Sequence, residues 1–136
     1  MGAENEAVSS NNALAHGVDI VDIVEFAKLV DGPAKDFLDR YFNDCEIEAA
    51  GRGAGRVEKL ASRFAIKEAV LKALHTGWGD GIAFTDVEVV TDSGGAPAVI
   101  LHRNLLNAAV RLGIKSWLVS ASHTNGIAFA SVIALS

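Results

Sequence analysis

A single cysteine, Cys45, stands among 136 residues, so no internal disulfide can form, and the thiol fits a reducing compartment. No cysteine and histidine cluster occurs at metal-ligand spacing, which argues against structural zinc. The acidic N-terminus contains no long apolar run, so neither a signal peptide nor a membrane span is expected and the protein reads as cytoplasmic, with no membrane partner. Positive charge is in deficit. Twelve Lys and Arg face 17 Asp and Glu, a net charge of -5, which disfavours general nucleic-acid binding but allows a local basic site for a phosphorylated ligand. Gly51, Gly53 and Gly55 have no strand before them and no Lys-Ser or Lys-Thr pair after them. They read as a hinge rather than a phosphate loop. No internal repeat is visible.

What is present is apolar mass. Half of the residues are hydrophobic, enough for one domain to bury a core without staples. Residues 1–14 are small and polar and read as a mobile leader, leaving residues 15–136 as the single domain. Residues 17–24 are rich in β-branched side chains with apolar residues on both faces, which predicts a central strand. Short helices are expected over residues 24–30 and 36–42. Asn43 followed by Glu46 is a capping-box pattern that starts a further helix. The longest helix is expected over residues 56–74. Strands over 86–90 and 98–101 flank a turn, a helix over 104–112 stops at Gly113, and strands over 116–122 and 127–135 flank Asn125-Gly126, a strong hairpin signal. The order implies an α+β domain with a mainly antiparallel sheet packed against one long helix.

Two acids break this pattern. At ~100° per helical residue Val57, Leu60, Ala61, Phe64 and Leu71 form one stripe, and Glu68 projects from its middle. Asp19 lies between Val18 and Ile20 in the first strand. A buried carboxylate is costly unless compensated, so the two together suit one shared cation. A second stripe of the long helix is basic: Arg56, Lys59, Arg63 and Lys67 recur at spacings of three or four, and Lys67 and Lys72 flank Glu68. Such a face is often merely solvated, but here it suits a metal-bound phosphate. His123 sits at a hairpin rim, where a hydrogen-bonding surface role is the simplest one.

Three segments, Gly17-Val18-Asp19-Ile20-Val21-Asp22, the run from Arg63 through Phe64-Ala65-Ile66-Lys67-Glu68-Ala69-Val70-Leu71-Lys72 to Ala73, and Val119-Ser120-Ala121-Ser122-His123-Thr124, together resemble the 4'-phosphopantetheinyl transferases. The length resembles that of their short, single-domain branch, the holo-acyl-carrier-protein synthases. The resemblance implies Mg²⁺-dependent transfer of the phosphopantetheine arm of coenzyme A to a serine of an apo acyl carrier protein, with release of adenosine 3',5'-bisphosphate, in the service of fatty-acid synthesis. It implies Asp19 and Glu68 as Mg²⁺ ligands, Lys72 as the cation on the transferred phosphate, and Glu68 as acceptor of the serine proton, directly or through a water. It further implies Arg63, Lys67, Lys72, Gly77, Gly79, His123 and Thr124 around coenzyme A, and a homotrimer with sites between subunits. Lys28 and Arg40 are the basic residues available for carrier docking, in a region that also carries Glu25, Asp31 and Asp36; Ala96 stands where lysine is common. A different class of reading is a silent module that binds coenzyme A or a carrier without transfer.

Overall fold

The computed structural model describes residues 12–32, 36–76 and 81–136. Strand β1 (Ala13–Asp22) leads into α1 (Ile23–Val30), α2 (Asp36–Tyr41), α3 (Asp44–Ala50) and the long α4 (Arg56–Ala73). A 3₁₀ turn (Phe84–Asp86) precedes β2 (Val87–Thr91), β3 (Pro97–Leu101), α5 (Arg103–Arg111), β4 (Ser116–Thr124) and β5 (Ile127–Leu135). The expected α+β architecture with antiparallel pairing around one long helix is what forms. The strands divide into two sheets, β1-β5-β4 and β2-β3. Among the described residues no helix is long and apolar enough to cross a membrane.

Two sequence expectations shift here. The first strand begins at Ala13, so Ala13 and Leu14, assigned to the leader, belong to it; residues 1–11 lie outside the described residues. That strand is also an edge and not the centre, because β5 takes the middle place with β1 and β4 antiparallel on either side. Its sequence explains the difference. Strand β5 alternates Ala128, Ala130, Val132 and Ala134, all fully buried on one face, with Ile127, Phe129, Ser131 and Ile133 on the other. Small inward side chains let α4 lie close across the sheet.

Local signals set the element ends. The Asn43 side chain accepts from the Glu46 amide at 2.9 Å, and the Glu46 carboxylate accepts from the Asn43 amide at 3.0 Å, closing the capping box at the start of α3. Asn125 and Gly126 (φ 85°) form the two-residue loop between paired Thr124 and Ile127. Asp92 accepts from the amides of Gly94 and Ala96 and folds the turn between β2 and β3.

Helix α4 is the core element. The sequence stripe predicts one buried face, whereas Leu60, Ala61, Ala65, Ile66, Ala69, Val70, Leu71 and Ala73 bury the helix almost all round. The three-stranded sheet covers one side, and α1, α3 and β2 cover the rest. Leaving water stabilises each of Leu60, Ile66 and Val70 by about 1.5–3 kcal/mol. An aromatic group of Phe26, Phe37, Tyr41, Phe64 and Phe84 packs the α1–α2 side, with ring centroids 4.3–6.5 Å apart. Gly17 sets the distance on the sheet side: a Cβ built there would stand 2.0 Å from the Ala69 carbonyl oxygen.

Candidate active site

The pleat of β1 turns Gly17, Asp19 and Val21 toward α4 and Val18 and Ile20 away. Gly17 holds the two backbones together, and two residues further on Asp19 reaches the side of α4 that carries Glu68 and Lys72. The Lys72 ammonium donates to Asp19 Oδ1 at 2.7 Å; the aspartate side chain is 13% exposed and the lysine 55%. Glu68 is half-buried, and burial, followed by the nearby Asp19 charge, pushes its carboxyl above the usual carboxylate range, with Lys72 opposing. No hydrogen bond reaches the Glu68 carboxylate among the described residues. Two carboxylates therefore share one lysine.

These two acids face a groove walled by Ile20, Glu25, Phe26, Leu29 and Phe64. Among the described residues no group of three or more His, Cys, Asp or Glu stands ready to hold a metal. The donor set fits a hard cation that keeps several waters and takes further oxygens from a substrate, as Mg²⁺ does, and does not fit zinc. A second cleft, of ≈ 550 Å³, opens between the β4–β5 hairpin and the first half of α4, lined by Glu58, Lys59, His123 and Thr124. Arg63 lies on α4 between the residues of the two clefts. Its Nη1 donates to the Lys59 carbonyl at 3.5 Å, and its buried Nε has no partner among the described residues.

The structure thus brings Asp19, Glu68 and Lys72 together and places His123 and Thr124 in the neighbouring cleft. Gly77 and Gly79 lie outside the described residues. Lys67 needs correction. Its side chain is fully buried, and its ammonium donates to Glu46 Oε1 at 2.8 Å, to the Phe84 carbonyl at 3.2 Å and to the Val87 carbonyl. All three donors are occupied, so Lys67 cannot meet a coenzyme A phosphate. The basic stripe is consequently not one surface, and Arg56 also turns back, to the Gly51 carbonyl at 2.9 Å. Of the docking residues, Lys28 is paired with Glu25 of its own helix at 3.1 Å, whereas Arg40 is exposed beside Tyr41, Ile82 and Phe84. Sequence reading missed Glu46, visible there only as a capping residue.

The family model described as the 4'-phosphopantetheinyl transferase superfamily matches residues 15–130. The chain is similar to a holo-[acyl-carrier-protein] synthase of Koribacter versatilis, 38% identical over 120 residues, which are 88% of this chain and 96% of that one. A Frankia casuarinae protein of the same name is 42% identical over 87% of this chain and 93% of its own. Among solved structures, the Neisseria meningitidis holo-[acyl-carrier-protein] synthase superposes with a TM-score of 0.80 at 27% identity, covering 90% of this chain and 98% of that one. The Helicobacter pylori synthase in complex with coenzyme A superposes with a TM-score of 0.76 at 31% identity, covering 88% and 98%.

Proposed function

The chain belongs to the 4'-phosphopantetheinyl transferase superfamily and is an enzyme of its holo-acyl-carrier-protein synthase branch, and from that premise we propose that it moves the phosphopantetheine arm of coenzyme A onto a serine of an apo acyl carrier protein in an Mg²⁺-dependent reaction. The observation that carries the proposal is that Asp19 and Glu68 border one groove while Lys72 is paired with Asp19. Asp19 and Glu68 would hold Mg²⁺, which when bound neutralises negative charge on the diphosphate. The serine Oγ–phosphorus bond forms as the bond from that phosphorus to the leaving adenosine 3',5'-bisphosphate breaks. Glu68, which borders the groove beside Asp19, is the group assigned to take the serine proton, directly or through a water. Lys72, more than half exposed, is close enough to swing from Asp19 to the transferred phosphate, where negative charge is redistributed in the transition state. The nucleotide end of coenzyme A is assigned to Arg63, whose Nε lacks an acceptor among the described residues, and to His123 and Thr124 in the adjoining cleft.

The carrier must deliver its serine along α1, because Glu25, Phe26 and Leu29 wall the groove. Among the described residues of this region Arg40 is an exposed cation available to an acidic partner, and the Glu25 pairing partly neutralises Lys28. Fatty-acid synthesis is the process proposed to use the product, in the cytoplasm. Incubation with coenzyme A, Mg²⁺ and a panel of apo carriers is expected to add one phosphopantetheine mass to a carrier and release an equivalent of the bisphosphate. Saturable coenzyme A binding with no mass shift on any carrier would leave only the silent-module reading.

A homotrimer completes the proposal. The sheet face turned away from α4 exposes Val18, Ile20, Leu118, Ile127 and Phe129 at 41–65% of their surface, and the register sets Ile20 against Phe129 and Leu118 against Ile133. A contiguous apolar face of this kind supports self-association, and His123 at the hairpin then lies within reach of a neighbouring subunit's ligand. Sedimentation equilibrium is expected to give three chain masses. A single chain mass at micromolar concentration would remove the trimer from the proposal.

A further inference from the structure

We propose that the buried Glu46–Lys67 pair is a positioning device that fixes the rotation of α4 and so aims the Glu68 carboxylate at Asp19. The inference rests on the proposed transferase reading for what Glu68 does, but its geometry stands apart from it. The pair is a closed network. Lys67 gives its three hydrogens to Glu46, Phe84 and Val87, while the Glu46 carboxylate accepts from Lys67, from the Asn43 amide and, through Oε2, from the Val89 amide at 2.9 Å. The Phe42 ring lies 5.4 Å from the ammonium. Helix α3, the 3₁₀ turn and β2 are thereby all tied to one point of α4.

That point is the residue before Glu68. On its other side, Ala69 carries the carbonyl against which Gly17 packs. Glu68 therefore sits between two anchors, one polar and directional, the other steric. Hydrophobic packing alone tolerates small rotations of a helix buried all round, because it is non-directional. Three hydrogen bonds to fixed backbone and carboxylate oxygens do not tolerate them. A rotation of about 10° moves a carboxylate at a radius of about 6 Å by about 1 Å, and a misplacement of that size costs roughly a hundredfold in rate. A buried ion pair is seldom retained for net stability, since apolar replacement is often neutral or stabilising. Fixing Glu68 gives this one a function.

The test compares wild type, Lys67→Met and Glu46→Gln in the carrier mass-shift assay, with hydrogen exchange along α4 measured in parallel. In Lys67→Met, kcat is expected to fall about 10–100-fold with KM for coenzyme A within about threefold, and amide exchange around residues 66–71 should rise relative to residues 58–62. Glu46→Gln keeps one acceptor oxygen and should show a smaller loss of the same kind; it carries the test should Lys67→Met not fold. Wild-type kcat in both folded variants, or unchanged exchange around Glu68, would overturn the inference. So would a raised KM at constant kcat, which would mark Lys67 as a direct coenzyme A contact. An inactive wild type would refute the transferase reading instead, while the exchange comparison would still decide the positioning.

Discussion

Glu68→Gln and Asp19→Asn should each lower phosphopantetheine transfer by about 10²–10⁴-fold, the cost typical of removing a general base or one electrostatic stabiliser. Both substitutions keep shape and remove charge, so the fold should persist. The Glu68 carboxyl titrates above its unfolded value of 4.5 because burial and Asp19 disfavour its charge. A folded pKa raised above the unfolded one contributes stability that is fully present below the unfolded value and is lost as pH rises through the folded one. Without metal, Glu68→Gln should therefore melt higher than wild type at neutral pH, and the gap should shrink as pH falls toward 4.5 and below. Mg²⁺ with coenzyme A should raise the melting midpoint of wild type more than that of either variant, because each variant loses one metal ligand and a ligand stabilises the native state according to how tightly it binds. Lys72→Ala offers the contrast. Its half-exposed pair with Asp19 is worth no more than about 1 kcal/mol, so any large fall in kcat reports a role in the transition state. A rise in KM alone would assign it to substrate binding. Full Mg²⁺-dependent activity in both acid variants would show that the site is elsewhere.

Local chemistry was legible in the sequence, and long-range partners were not. Asn43 with Glu46 and Asn125 with Gly126 act within a few residues, and both formed as their spacing predicts. Glu68 and Asp19 stood out as charges among apolar neighbours, a contrast that needs only the element's own period. Lys67 obeys the same periodicity as a solvated lysine, and the features that bury it, Glu46, Phe84 and Val87, lie 17–21 residues away on other elements. Likewise the Val89 amide that completes Glu46 is 43 residues distant. The edge position of β1 was hidden because a β-branched strand with apolar residues on both faces reads as central. Its outward Val18 and Ile20 are exposed in the single chain.

Gly17→Ala should be among the most damaging small substitutions in the chain. A methyl group there would lie 2.0 Å from the Ala69 carbonyl oxygen, 3.0 Å from its carbon and 3.0 Å from the Ala73 nitrogen. All three are backbone atoms of α4, so no side chain can rotate out of the way, and β1 and α4 must separate. Overpacking a core typically costs about 1–3 kcal/mol, and a clash against helix backbone belongs at or above the top of that range. For a domain of this size such a loss lowers the melting midpoint by ~10 °C or more. The site should suffer as well. Asp19 follows Gly17 by two residues on the same face, so moving β1 off α4 lengthens the 2.7 Å contact with Lys72 and displaces Asp19 from Glu68. Activity measured well below the new midpoint should therefore still be reduced, which simple instability would not produce. Gly53→Ala is the control: nothing lies within 4 Å of its added methyl, and it should be neutral or slightly stabilising through the unfolded chain. A Gly17→Ala protein that melts and turns over like wild type would show that this close approach does not hold strand, helix and carboxylates in register.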